Sequence, residues 1–315
     1  MSLTETYNNI KKSIVAFVPK YIPIKENESP PEFPPIFGTG FVVREDGLIV
    51  TNDHVVKLIG KLWRPPNLPK NDWGIEAILF NLTEKGSLEV SLKVLGVFQI
   101  GQFNPGAVYY GPKIPDIAFI RVKAKGLPTL EIDYSTRLEE GLEVATAGYP
   151  MGTDALTAPG YLHQMTPTLQ KGIISAILPF ACPTPHAFTI NIMSQGGASG
   201  SPVFIPDNGK VIGVLYGGLN DFALTANKDI SKMPTCISYV VPSHFLINLL
   251  KNIDNVPQVK LPKDTKSIDE LIKSTKVVNR YKEGMKYQIK KIKPLTGLKR
   301  NVVKLNIYDV SKEDM

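Results

Sequence analysis

The chain has 315 residues, an apolar share of 43%, a net charge of +7 and two cysteines. That length and apolar content suit a folded core and exclude a disordered chain, while two cysteines exclude a disulfide framework, so the fold must rest on burial. Glycine (25) and proline (26) are both abundant, which favours short strands and turns over a helical bundle. The charge is uneven: from Val256 onward fifteen Lys and Arg face seven Asp and Glu, a net of +8 that leaves the preceding body at −1. The basic character therefore belongs to a tail. No apolar stretch reaches spanning length, and the run 14–18 is too short for a secretory h-region. The sequence reads as a cytoplasmic protein without a membrane span.

Residues 4–12 predict a short helix with Thr4 as its N-cap, running into a strand at 14–18. A proline-rich loop follows over 21–37, carrying Pro23, Pro30, Pro31, Pro34 and Pro35; proline at that density rules out helix and ladder alike. It is open to two readings, a linker or a partner-binding arm. From Gly38 the texture changes to a hairpin: 40–44 and 48–51 joined through Asp46-Gly47. The second strand ends at Asn52-Asp53-His54, which places the histidine at the end of a rigid element.

Further strands are expected at 75–82, 87–98, 117–122, 143–148, 170–177, 187–193, 202–206, 210–216 and 236–241. The connections 59–74 and 99–115 are long enough to rim a cleft. The segment 127–140 reads as a crossover between two halves, and a helix opening at Pro242-Ser243 closes the body with Phe245, Leu246, Leu249 and Leu250 on its apolar face. Short strands at this spacing, without alternating helices, predict an all-β sandwich or pair of barrels. In the tail, Ser267 and Glu270 form a capping box for a short helix to about Lys276, and 285–292 and 301–310 mix lysine with apolar residues. The organisation expected is thus 1–37 (helix, first strand, proline-rich loop), 38–130 (first β half), 131–255 (second β half and closing helix) and 256–315 (basic extension).

The residues able to do chemistry converge on Gly197-Ala198-Ser199-Gly200-Ser201-Pro202. Flanking glycines put a hydroxyl at the tip of a tight turn, where backbone N–H groups can crowd one point. A serine is a feeble nucleophile unless a base takes its proton and a carboxylate orients that base. His54 after a hairpin strand and Asp116 at a strand start supply both, in the order His, Asp, Ser across two β-rich halves. Taken singly, each has a bland reading as a packed or turn residue; the joint pattern is what points to catalysis. Ser201 precedes a proline and lacks flanking glycines, so it is not read as the nucleophile. Cys182 and His186 have metal-like spacing but no second pair, and no metal or cofactor is expected. His163 and His244 read as structural or surface residues. Cys182 and Cys236 could form one bridge, two reduced thiols being the simpler state.

The stretches Gly38-Thr39-Gly40-Phe41-Val42-Val43, Leu48-Ile49-Val50-Thr51-Asn52-Asp53-His54-Val55-Val56, Asp116-Ile117-Ala118-Phe119-Ile120 and Gly197-Ala198-Ser199-Gly200-Ser201-Pro202 resemble trypsin-like serine peptidases, in particular the bacterial HtrA (Deg) branch. The resemblance runs over about residues 5–253 in order. It implies two chymotrypsin-like antiparallel β-barrels with the site in the cleft between them, Ser199 as nucleophile, His54 as general base, Asp116 as orienting carboxylate, and the N–H groups of Gly197 and Ser199 as oxyanion hole. The pocket for the residue before the scissile bond is placed at Met193, Ser194, Leu215, Tyr216 and Gly217, with no acidic wall, which predicts an apolar preference.

The implied activity is a serine endopeptidase acting on protein or peptide substrates. The alternative is a latent or inactive member acting as a polypeptide-binding scaffold or chaperone. Asp53, beside the histidine, departs from the family and is expected to be solvated, adding negative charge near His54. The residues after the closing helix are too few for the PDZ domain usual in that branch. A homo-oligomer fits the resembling family, and nucleic-acid binding by the dispersed tail lysines is the minority reading.

Overall fold

In the computed structural model, which describes residues 1–23, 35–66, 68–69, 72–83, 86–101, 114–134, 136–152, 157–158, 162–163, 166–224, 230–253 and 260–275, the apolar run beginning at Ile14 is buried on both faces. It forms β1 (Ile14–Pro19). Val15 and Phe17 enter one apolar cluster, while Ile14, Ala16 and Val18 enter another. A strand with two buried faces reads as a continuous apolar run instead of an alternation. β1 pairs with β2 (Gly38–Arg44) on one side and β4 (Ile75–Thr83) on the other. With β3 (Leu48–Thr51), β5 (Gly86–Gln99) and β6 (Ala118–Val122) these close a six-stranded barrel in the order β1-β2-β3-β6-β5-β4. The first barrel therefore takes in a strand that lies before the proline-rich loop, earlier than residue 38.

The second barrel is closed by β7 (Glu143–Gly148), β10 (Thr168–Leu178), β11 (Ala187–Ile190), β12 (Pro202–Phe204), β13 (Val211–Leu224) and β14 (Ile230–Pro242), in the order β10-β11-β14-β13-β12-β7. A two-stranded ribbon, β8 (Thr157–Ala158) with β9 (Leu162–His163), stands apart. The architecture is all-β, two antiparallel barrels. β13 and β14 continue their pairing past the barrel to Leu224↔Ile230, well beyond the expected 210–216 and 236–241. Gly217, Gly218 and Asn220 hid this extension, since none favours a strand.

Each barrel has its own apolar interior, and a third cluster fills the seam. Phe41, Val50, Ile78 and Phe119 of the first barrel meet Ala145, Tyr149, Phe204 and Val214 of the second there. The closing helix α3 (Ser243–Ile253) adds Phe245, Leu246 and Ile253 to the same cluster.

The N-terminal helix α1 (Leu3–Ile10) is capped by Ser2, not Thr4. The Ser2 hydroxyl accepts the Glu5 N–H and the Glu5 carboxylate accepts the Ser2 N–H, a reciprocal pair that needs Ser and Glu three apart. Helix α2 (Asp53–Ile59) follows β3 directly. Helix α4 (Ile268–Ser274) has the expected Ser267–Glu270 capping box. It lies on the first barrel, where Ile268, Leu271 and Ile272 pack on the interior cluster and Lys125 exchanges backbone bonds with Lys266 and Ile268. The start of the basic extension is thus part of the packed body. The tail segments 285–292 and 301–310 lie outside the described residues.

Candidate active site

β3 and β6 pair in register, with Thr51 opposite Ala118. That register brings the residues after Thr51 beside those before Ala118, so His54 meets Asp116 across a sequence gap of 62 residues. The contact is two-pronged. Asp116 Oδ1 accepts the His54 backbone N–H at 3.0 Å, and Asp116 Oδ2 lies 2.6 Å from His54 Nδ1. The carboxylate thereby satisfies an orphan N–H in the first turn of α2 and orients the ring in one stroke. A carboxylate only accepts, so Nδ1 carries the proton and the lone pair sits on Nε2.

Asn52 stands at the N-cap of α2, yet its side chain does not cap the helix. Its Nδ2 instead donates to the Asp116 carbonyl at 2.7 Å. The His54 side chain is 42% exposed and that of Asp116 25%, so the ring faces solvent while its carboxylate is shielded. Asp53 departs from expectation: its carboxylate is 15% exposed and bonded by Lys57 Nζ at 2.6 Å and Gln99 Nε2 at 2.7 Å. The Lys57 cation balances the charge that the sequence left facing His54.

Ser199 comes from the other barrel, in the turn before β12. Gln195 C=O accepts the Ala198 N–H at 3.0 Å, with Gly197 at φ +93°. A positive φ at the third position of a hydrogen-bonded turn makes it type II. A Cβ on Gly197 would lie 2.4 Å from the Tyr149 carbonyl, and one on Gly200 would lie 2.0 Å from that of Thr39, so both positions require glycine. The turn is fastened across the seam: the Thr39 N–H donates to Ser199 C=O at 2.9 Å and the Thr39 hydroxyl to Gly197 C=O at 2.6 Å. Ala198, Gly200 and Ser201 spend their N–H groups inside the protein. Among the described residues the N–H groups of Gly197 and Ser199 have no such partner. Ser201 is buried and its hydroxyl donates to Ala198 C=O at 2.6 Å. The structure thus joins His54 to Asp116 directly and ties Ser199 to the same barrel edge, with no hydrogen bond between the Ser199 hydroxyl and His54.

Residues 38–214 match the trypsin-like peptidase domain family, more than half of the chain. The chain belongs to that family. Curated relatives include a protein of Halomonas elongata named probable periplasmic serine endoprotease DegP-like, 29% identical over 177 residues, which is 56% of this chain and 28% of the relative. A Pseudomonas putida protein of the same name is 28% identical over 180 residues, again 56% of this chain and 28% of the relative. The match thus spans little more than a quarter of the length of these relatives. Among solved structures, the HtrA-type protease AlgW with decapeptide aligns over 82% of this chain and 69% of that one, at 15% identity and a TM-score of 0.49. The serine endoprotease from Yersinia pestis aligns over the same shares at 16% identity and 0.46. The curated relatives are named periplasmic, in contrast to the cytoplasmic reading of the sequence. No helix among the described residues is long and apolar enough to cross a membrane.

Beside Ser199, this trypsin-like domain has a cavity of about 310 Å³ lined by Ser194, Gln195, Gly196, Ser199, Gly217, Gly218 and Asn220. Ser194 and Gly217 were expected there. Leu215 is 1% exposed and its side chain belongs to the second-barrel interior; a register shift between Leu215 and Gly217 breaks the alternation that would put both on one face. The Tyr216 ring packs beside Tyr239, 5.9 Å between centroids. Met193 meets Gln170 through its carbonyl, 3.1 Å from Nε2, and is absent from the lining. Gln195, Gly196, Gly218 and Asn220 escaped the sequence reading; their one signal was adjacency to Ser194 and Gly217. Cys182 and Cys236 are both free thiols.

Proposed function

We propose that this domain is a serine endopeptidase in which Ser199 attacks the scissile carbonyl of a protein or peptide substrate. His54 Nε2 takes the hydroxyl proton, Asp116 stabilises the imidazolium, and the oxyanion rests on the N–H groups of Gly197 and Ser199. His54 then gives the proton to the leaving amine, and water on the same base hydrolyses the acyl-enzyme. The observation that carries this reading is the two-pronged Asp116–His54 contact, which fixes the tautomer that a general base needs. The type II turn with two unspent N–H groups supports it.

The side chain before the scissile bond is taken to be uncharged and of medium size; the apolar preference expected from Met193, Leu215 and Tyr216 loses its support, since none of the three lines the cavity. Among the described residues no carboxylate lines the cavity to pair with lysine or arginine. A second reading, a latent member that binds polypeptide without cutting it, draws on the absent hydrogen bond between Ser199 and His54. Treatment with a fluorophosphonate serine probe, with and without an unfolded protein substrate, separates the two. Labelling that disappears in Ser199→Ala supports the peptidase. No labelling under either condition overturns it. A peptide library cut by the same protein is expected to favour uncharged residues there, and a profile led by lysine or arginine overturns the specificity assigned.

A further inference from the structure

Thr39, the second residue of β2, is 0% exposed and bonds to both ends of the nucleophile turn. Its hydroxyl donates to Gly197 C=O at 2.6 Å and accepts the Tyr149 N–H at 3.1 Å. Its N–H donates to Ser199 C=O at 2.9 Å. Its own carbonyl accepts the hydroxyl of Thr51 at 2.8 Å, and Thr51 closes β3 three residues before His54.

These bonds fall on particular peptide planes. The Gly197–Ala198 plane is held at its oxygen by the Thr39 hydroxyl and at its nitrogen by Gln195 C=O, 3.0 Å away. The Ser199–Gly200 plane is held at its oxygen by the Thr39 N–H and at its nitrogen by Leu215 C=O, 2.8 Å away. The two N–H groups assigned to the oxyanion therefore hang on planes whose neighbours Thr39 fixes. A peptide pinned at both ends cannot rock without breaking a buried hydrogen bond and leaving a buried group orphaned.

From this we infer that Thr39 is a positioning residue for the reaction: with Thr51 it gauges the Ser199 turn and its oxyanion donors against the strand end that carries His54. The inference rests on the peptidase reading above. The two halves of the site sit on different barrels, so their spacing is set across the seam, which Thr39 crosses with both its main chain and its side chain. Productive geometry tolerates displacements of only about half an ångström, and a displacement of about 1 Å can cost about 100-fold in rate.

The test is kinetic. Thr39→Val keeps the shape and removes the hydroxyl, orphaning the Gly197 carbonyl and the Tyr149 N–H. We expect kcat to fall by about 10- to 100-fold with KM little changed, and the affinity for a peptide boronate that mimics the tetrahedral intermediate to fall in parallel. Thr39→Ser, which restores the hydroxyl, brings both back near wild type. Thr51→Val leaves the Gly197 bond in place and lowers kcat less. A Thr39→Val protein with wild-type kcat overturns the inference, as does a loss that Thr39→Ser fails to rescue. If Thr39→Val does not fold, the decision passes to Thr51→Val and Thr39→Ser: wild-type kcat in the former or a large loss in the latter overturns it. Absence of fluorophosphonate labelling in the wild type strikes the peptidase reading itself. Labelling equal in wild type and Thr39→Val strikes this inference alone.

Discussion

Asp116 does three things with one side chain and one carbonyl. Its carboxylate holds the His54 ring and the His54 N–H in the first turn of α2, while its carbonyl takes the Asn52 amide. Amidation of the carboxylate keeps the shape and changes the chemistry: Asn presents a donor as well as an acceptor, and the imidazole can settle in the wrong tautomer. In the peptidase reading, Asp116→Asn is expected to lower kcat by about 10⁴-fold with a near-native melting temperature. The Asn52 bond and the β3–β6 register remain in place. Steady-state hydrolysis of a peptide substrate beside a thermal melt checks this; kcat within tenfold of wild type would remove Asp116 from the mechanism. At this scale the sequence was informative where residue types stand in a demanding order: His54 and Asp116, singled out from it, meet in the fold. It was blind to contacts made in space. Nothing near Asp53 in the chain announces Gln99, and no local pattern tells Leu215 to face inward.

Elements follow the same rule. Strands whose patterns are strong in themselves, such as β3 and β6, were legible nearly to the residue. Helix α2 was not, because Thr51-Asn52-Asp53-His54-Val55-Val56 is rich in β-branched residues and the carboxylate on its first turn comes from residue 116. Helix α3 was legible as a helix, but the state of His244 on its first turn was not. The His244 ring stacks on Phe245, 4.2 Å between centroids, at the wall of a cavity of about 800 Å³ that also touches Arg137, Cys182 and Pro185. Burial, with the nearby His186 charge adding to it, lowers its pKa to about 4.

The unfolded chain takes that proton at the ordinary value near 6.5, so between 6.5 and 4 it binds more protons than the folded chain. The contribution of His244 to stability is therefore whole above pH 6.5 and is lost as pH falls toward 4. Allowing for its partial exposure, the loss is about 1–2 kcal/mol. Urea midpoints at pH 7.5 and 4.5 measure it. His244→Gln is expected to flatten the difference between the two, and an unchanged difference would mean that the ring is protonated in the fold without penalty.

The whole molecule is two barrels that share a core. Helix α1 leads into β1 of the first barrel but lies on the second: Thr6 and Ile10 rest against Gly209, and the Tyr7 hydroxyl bonds Thr166 at 2.8 Å and the Pro167 carbonyl. Ile10, 3% exposed, joins the seam cluster that holds side chains from both barrels. A chain whose halves were independent would melt in two steps, whereas a shared interior couples them into one. The two tryptophans, Trp63 and Trp73, both lie in the 59–74 connection of the first barrel. Their fluorescence therefore reports on that barrel alone. Ile10→Ala removes apolar volume on the second-barrel side of the seam and is expected to cost about 3 kcal/mol. If the seam couples the barrels, tryptophan fluorescence and far-UV circular dichroism shift to lower temperature together and by equal amounts. A tryptophan transition that stays in place while the dichroism moves or splits would show that the barrels unfold separately. The spacing of His54 and Ser199 would then lean on the hydrogen bonds by which Thr39 crosses the seam.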